Sequence, residues 1–463
     1  MKFVDRKREM ALLEREYESD TASLVVVYGR RRVGKTALLT QFIEQKPAIY
    51  FLATEESEAM NRQAFQQLAA AYLKDGLLQE AAVARWEPIF ERLVSAVRGE
   101  RLVIVLDEFQ YIGRNSPAFL SVFQRIWDQC LSKANVMVVL CGSLISMMMS
   151  QTLRYESPIY GRRTAQLRLR PVKFPYYPEF FGEEKPRDEW IRYYSVTGGV
   201  PKYIEMFSRA QSLEQGIKEN ILDTGSFLYD EPNFLLQREV SDIGSYFSIM
   251  RAIAAGNHKL SKIATVLQQK QTSIPRYLRV LIELDLLERE VPVTESSPEK
   301  SKKGIYQIRD PFLAFWFQFI YPNRSYLETG HPEIVLRRIR QNFIDSRVSF
   351  IYEEICREQL WTLSANGQLS CVLDKVGRWW DNAGNEIDAV GIAEEEQVLV
   401  LGECKFWQGQ VGLNVLQALE QKALRVSWHS ETRKTLYVLF SIHGYTAELK
   451  QRAMQRQDLI LCR

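Results

Sequence analysis

Short apolar runs alternate with longer amphipathic stretches over the first 170 residues. Leu24-Val25-Val26-Val27-Tyr28, Arg101 to Leu106 and Asn135 to Ser143 are apolar runs of strand length. Such runs, bounded by glycine or polar residues, read as strands buried on both faces of a parallel sheet. Ala37 to Ile43, just after a glycine loop, reads as a helix, and Leu167 to Val172 as the last strand of this sheet. Phe174 to Phe181, dense in proline and aromatic rings, reads as a stiff junction. From about 187 to 250 the pattern is helical, broken by the turn Thr197-Gly198-Gly199-Val200-Pro201.

A different unit is expected from about 251. Met250 to Gly256 reads as a helix closed by glycine, and Leu260 to Leu267 as a second helix with Ser261 as a cap. Thr272 to Leu284 reads as a third, capped by Thr272 or Ser273, with Pro275 tolerated in its first turn. Leu286 to Val291 and Gly304 to Ile308 then read as two strands joined by a polar loop, Glu295 to Lys303. Three helices followed by such a ribbon form a winged helix-turn-helix pattern. Its third helix would carry Ser273, Arg276 and Arg279 toward a major groove, and Lys300, Lys302 and Lys303 would lie near phosphates. The same elements also suit a rigid protein–protein module. Asp310 to Phe319 is too aromatic to be exposed.

The glycine loop carries the first candidate chemistry. Gly29-Arg30-Arg31-Arg32-Val33-Gly34-Lys35-Thr36 has the phosphate-loop pattern G-x-x-x-x-G-K-[ST], set between strand and helix. Backbone N–H groups from Gly29 through Ala37 can cradle the phosphates of ATP, Lys35 can reach the β- and γ-phosphates, and Thr36 can ligate Mg2+. Asp107 and Glu108 end the second apolar strand, where ligands bind in parallel sheets. Asp107 would hold Mg2+ through water, and Glu108 would polarise the attacking water. Ser143 is placed to sense the γ-phosphate or orient water, or else to cap the helix after it. Arg162 or Arg163 can serve as an arginine finger, in this chain or a neighbouring copy, or form surface ion pairs.

These motifs, with Phe3-Val4-Asp5-Arg6, Asp107-Glu108-Phe109-Gln110, Gly142-Ser143, Gly161-Arg162-Arg163, Thr197 to Tyr203, Asp310 to Phe317 and Tyr321-Pro322-Asn323, resemble an archaeal and bacterial family of AAA-related P-loop ATPases (ASCE, MNS/STAND-like) with a C-terminal DUF234 domain. The resemblance spans nearly the whole chain. It implies a core with a strand inserted between the two Walker motifs, and an N-terminal Phe3-to-Arg6 segment packed near the adenine.

A second constellation lies near the C-terminus. Asn385 to Ile392 and Gln397 to Lys405 read as a hairpin, with Asp388 on one strand and Glu403 and Lys405 on one face of the other. Asp388 and Glu403 can build a divalent-metal site in which Lys405 orients or activates water. Glu353, on an apparent helix from Ser349 to Leu360, is a further carboxylate, with Glu354 its alternate, and Gln417 can support the site. The arrangement D-x₁₄-E-x-K is similar to the PD-(D/E)xK nuclease superfamily, and Glu386-Ile387-Asp388 departs from it in lacking the proline.

The expected fold class is therefore α/β: a P-loop NTPase parallel-sheet core over 1–185, a helical lid over 186–250, a winged helix-turn-helix over 251–325, and an α/β restriction-endonuclease-like domain over 326–463. Composition alters this little. A net charge of +3 gives no global basic field, so any nucleic-acid surface must be local. The six cysteines have no C-x-x-C spacing, which argues against zinc and fits a reducing compartment. No apolar run is long enough to span a membrane, and a cytoplasmic protein is expected. The functional expectation is an ATPase whose nucleotide cycle positions the winged helix and a Mg2+-dependent DNA nuclease. The alternative is a nucleotide-controlled switch whose C-terminal domain only binds. Expected partners are ATP and DNA, with further copies of the chain left open.

Overall fold

The computed structural model describes residues 3–97, 99–182 and 184–463, and the chain divides into two compact units. The first comprises Met1–Phe180, Gly199–Glu205 and Asn233–Ser241; the second holds the remainder. Two segments of the expected lid therefore fold with the first unit and the rest with the second.

The first unit is built on five parallel strands: β1 (Ser23–Tyr28), β2 (Ala48–Leu52), β3 (Leu102–Asp107), β4 (Val136–Gly142) and β5 (Ala165–Arg168). Their order is β2-β3-β4-β1-β5. The strand between the phosphate-loop strand β1 and the Asp107 strand β3 is thus β4, as the family resemblance implies. Every residue of β1, β3 and β4 is buried, because helices cover both faces of a parallel sheet. Leu38, Leu39 and Phe42 of the helix Lys35–Ile43 share a core cluster with Val25 and Val27 of β1. Helix Ala118–Gln129 buries Phe119, Phe123, Ile126 and Trp127, a stripe at helical spacing.

β5 begins and ends earlier than the apolar run Leu167 to Val172 suggests. Leu169 N–H still donates to Tyr28 C=O of β1 at 2.7 Å; farther on, Val172 N–H donates to Gly199 C=O at 2.8 Å, and a Cβ on Gly199 would lie 1.7 Å from the Val172 carbonyl oxygen. The glycine pair in the Thr197–Pro201 turn thus serves close backbone approach as well as turning.

In the second unit, helices Ile243–Ala254, Leu260–Val266 and Pro275–Glu283 precede an antiparallel pair, β6 (Leu287–Glu290) and β7 (Ile305–Ile308). The first helix starts seven residues before Met250, where the Asp242 side chain accepts from Ser245 N–H. Neither expected cap on the next two forms. Lys259 precedes the second without a side-chain cap, and Thr272 and Ser273 lie in a short 3-10 turn. Ser273 Oγ donates to Lys270 C=O instead, and Pro275 opens the third helix.

The C-terminal sheet is mixed, in the order β12-β11-β10-β9-β8. Its strands are β8 (Lys375–Trp380), β9 (Glu386–Ala393), β10 (Val398–Lys405), β11 (Lys434–Ser441) and β12 (Leu459–Cys462). β9 and β10 form the expected hairpin, with Leu401 opposite Val390 and Gly402 opposite Ala389. Ile387, Ile392, Leu399 and Leu401 pack against Val415, Leu416 and Leu419 of the helix Leu413–Ala423. Among the described residues, no helix is long and apolar enough to cross a membrane.

Candidate functional site

The phosphate loop is fixed by backbone geometry first. Gly29 has φ 154°, and a Cβ there would lie 2.2 Å from the Leu169 carbonyl oxygen, so a side chain is excluded. Arg32 and Gly34 follow with φ 67° and 96°, and the helix begins at Lys35 without a side-chain cap. Its first N–H groups, together with the helix dipole, favour an anion. Lys35 is buried, and its Nζ donates to the carbonyls of Gly29 at 2.8 Å and Arg30 at 2.9 Å. Burial draws its pKa down, against the pull of Cys141, Glu108 and Asp107. A desolvated ammonium held by neutral carbonyls is better satisfied by phosphate oxygens, so the loop suits a triphosphate. Arg6 reaches the loop from the N-terminal segment and donates to the carbonyls of Val33 at 2.9 Å and Arg170 at 2.8 Å.

The strand ends bring the carboxylates to the same place. Thr36 Oγ1 lies 3.3 Å from Asp107 Oδ2, and the Tyr50 hydroxyl donates to that same oxygen. Glu108 adopts a left-handed conformation with φ 52°, uncommon outside glycine. Its oxygens accept from Ser143 Oγ at 2.9 and 2.8 Å, from Ser143 N–H at 3.3 Å and from the Gln110 amide. Ser143 is therefore joined to Glu108. The helix after it, Ile145–Met148, has no cap from Ser143; Glu239 takes the N–H groups of Ile145 and Ser146 and the Ser146 hydroxyl. Burial raises the Glu239 pKa against these bonds. Arg31 donates to Ser143 Oγ at 3.4 Å and to the Tyr111 hydroxyl at 2.8 Å. Burial lowers the pKa of Arg32, and the neighbouring Arg31, Arg238 and Arg30 add to the fall.

Arg162 and Arg163 have partners outside this cluster. Arg162 grips Asp128 through Nε and Nη2, both at 2.8 Å, and Arg163 lies over the Tyr160 ring at 5.2 Å. Of the two roles open to Arg162 in the sequence, the ion pair is the one seen. On the helix Pro275–Glu283, Arg276 and Arg279 are exposed while Tyr277, Leu278 and Leu281 are buried. Arg276 stacks over its neighbour Tyr277 at 4.5 Å and donates to its hydroxyl at 2.6 Å.

The C-terminal carboxylates are close together, and Glu403 and Glu353 already have cationic partners within 4 Å. Cys404 N–H donates to Asp388 Oδ2 at 2.9 Å, which fixes Asp388 beside Glu403. Glu403 accepts from Lys405 Nζ at 2.7 Å and from Lys422 Nζ at 2.9 Å. Glu353 lies 3.7 Å from Arg357 and 3.8 Å from Arg378. Burial raises the pKa of Glu353 and Asp388, and adjacent charge adds to it: Asp388 acts on Glu353, and Glu403 on Asp388. Among the described residues, no three His, Cys, Asp or Glu side chains gather to hold a metal ion. The expected metal set Glu353, Asp388 and Glu403 is therefore not assembled as a cage: lysines flank Glu403 and arginines flank Glu353. Gln417 is exposed, and the helix supplies Lys422 in place of it.

Glu354 is distinct from its neighbour. Burial raises its pKa to about 7, helped by Glu288 and Glu290 and opposed by Arg357 and Arg347. A carboxyl raised from 4.5 to about 7 on folding contributes stability that is complete below pH 4.5 and lost as pH rises through 7. Glu354→Gln is therefore expected to stabilise the protein by about 1–2 kcal/mol at pH 8 and to have little effect near pH 5. Denaturant unfolding at the two pH values checks this; an equal effect at both would contradict it.

Sequence reasoning missed Tyr50, Tyr111, Arg238, Glu239, Arg378 and Lys422, and named Gln110 only within the family motif. Gln110 carried a signal, two residues after Glu108. Arg238 and Glu239 carried none, because nothing in a single sequence ties them to residues about a hundred positions away.

Comparisons with known proteins bear on the family and the fold. An ATPase domain found predominantly in Archaea matches residues 3–207, and DUF234, from archaeal and bacterial proteins of unknown function, matches 316–422. The uncharacterized protein MJECL04 of Methanocaldococcus jannaschii is 35% identical over 409 residues, 87% of each chain. The uncharacterized ATP-binding protein MJ0423 of the same organism is 52% identical over 44 residues, 10% of this chain and 75% of that one. Among solved structures, the Walker-type ATPase PABY2304 of Pyrococcus abyssi is similar with a TM-score of 0.52 at 21% identity, over 68% of this chain and 96% of that one, which bears on fold alone. The α/β fold with a P-loop NTPase-like parallel-sheet core thus stands on the strand order and on this likeness together. The chain belongs to the archaeal and bacterial family that joins an ATPase domain to a C-terminal DUF234 domain.

Proposed function

We propose that the protein binds ATP with Mg2+ at the loop 29–36, hydrolyses it, and uses the cycle to control nucleic-acid binding by its other unit. The observation that carries this is the convergence of Lys35, Thr36, Asp107 and Glu108 at one end of the parallel sheet. Lys35 would leave its two carbonyls for the β- and γ-phosphates. Thr36 and Asp107 would hold Mg2+, which when bound neutralises charge on the phosphates. Glu108 would accept the proton of the attacking water once freed from Ser143. Asp107, buried and fixed by Tyr50 and Thr36, is supported as a metal-holding carboxylate and not as a base.

For the second unit, three short helices and the β6–β7 ribbon support the winged-helix reading, with Ser273, Arg276 and Arg279 as DNA contacts. The exposed Arg276 and Arg279 give it a local cationic face. The C-terminal sheet is read as a binding module, because Lys405 and Lys422 already neutralise Glu403. A second reading, a Mg2+-dependent nuclease with Asp388, Glu403 and Lys405 at its centre, is favoured by the placement of Asp388 beside Glu403 on paired strands. Plasmid and single-strand cleavage with Mg2+ and ATP separates the two. The expected result is phosphate release without cleavage; cleavage lost in Lys405→Ala would establish the nuclease instead.

A further inference from the structure

Glu108 is held by neighbouring donors at both of its oxygens. Both its oxygens accept from Ser143 Oγ, and Gln110 donates to one of them. Ser143 is in turn touched by Arg31 Nε at 3.4 Å, and Arg31 Nη2 donates to the Tyr111 hydroxyl at 2.8 Å. Arg238 Nη1 approaches that same hydroxyl at 3.4 Å and pairs with Glu55 at 3.5 Å. A continuous polar chain therefore runs from Glu108 through Ser143, Arg31 and Tyr111 to Arg238.

The chemistry of its middle is unusual. Two guanidiniums, always charged, share one neutral phenol oxygen. Bonds between ionised partners are roughly twice as strong as those to neutral ones, so an anion would outcompete Tyr111 for either guanidinium. Arg31 belongs to the phosphate loop itself, and the group in reach of that loop which ATP has and ADP lacks is the terminal phosphate.

We propose that Tyr111 and Arg238 are positioning residues for ATP hydrolysis: Tyr111 holds Arg31 against Ser143, which keeps Glu108 turned aside, and Arg238 crowds Arg31 so that a γ-phosphate can draw it off and free Glu108. The device makes Glu108 answer to ATP and not to ADP. It rests on the ATPase reading above and adds residues that reading does not use.

The test is the ratio of ATP to ADP affinity, with KM and kcat, for wild type, Tyr111→Phe and Arg238→Ala. Tyr111→Phe removes only a hydroxyl, the acceptor that competes with phosphate. It should tighten ATP relative to ADP by about tenfold, since hydrogen bonds to charged groups reach this size, and lower KM more than it changes kcat. Arg238→Ala relieves the crowding and should move the ratio the opposite way. Opposite signs are not expected from general damage to the fold. If the two nucleotides shift together in both variants, or the ratio does not move, the positioning role is overturned while the ATPase reading stands. If the wild type binds neither nucleotide, the ATPase reading falls and the positioning role with it.

Discussion

Lys35→Ala should abolish ATP hydrolysis and weaken ATP binding by about thirtyfold or more. Removing one partner of a buried charge pair costs about 2–5 kcal/mol. Lys35 is the only ammonium inside the loop among the described residues, and its contacts are carbonyls of the loop itself. Truncation removes the charge that faces the phosphates and leaves those carbonyls without their donor. A modest loss of stability should accompany it, because buried acceptors are left bare. Titration calorimetry with ATP, alongside thermal unfolding of the same preparation, separates lost binding from lost fold. Near-normal affinity in a folded Lys35→Ala protein would remove the loop from the account.

Glu108→Gln should act on the other half of the reaction. With the amide oxygen at the Oε2 position it can still accept from Ser143 Oγ and N–H and from the Gln110 amide, so these local bonds around the left-handed Glu108 backbone survive. What is lost is the carboxylate proposed as the base. General-base removal costs about 10²–10⁴ in rate, and single-turnover hydrolysis should fall by that factor while ATP affinity stays within a few-fold. Affinity and rate thus fail separately in the two variants, as they should if Lys35 binds and Glu108 reacts.

Much of this site was legible in the sequence because its parts are local. The phosphate loop is one contiguous motif, and the strands around it are continuous apolar runs that two-sided burial demands. The hairpin carrying Asp388 and Glu403 was equally local, and β9 and β10 pair in the expected way. What could not be read depends on tertiary contacts. Just past the end of β5, Gly29 and Gly199 lie close against the backbone of Leu169 and Val172, approaches between residues far apart in the sequence. Ser143 and Ser261 both had the sequence of a cap, but the carboxylate of Glu108 is a stronger partner for the first, and the helix Leu260–Val266 begins before the second. Lys422 sits five residues beyond Gln417, where the helix turns its side chain to Glu403.

The most direct measurement is phosphate release from ATP in excess Mg2+ by wild type and Glu108→Gln at equal, saturating nucleotide. Repeated turnover is expected of the wild type and a loss of about 10²–10⁴ in the variant, with ATP still bound. Equal rates in the two proteins, or a wild type that binds ATP without releasing phosphate, would contradict this.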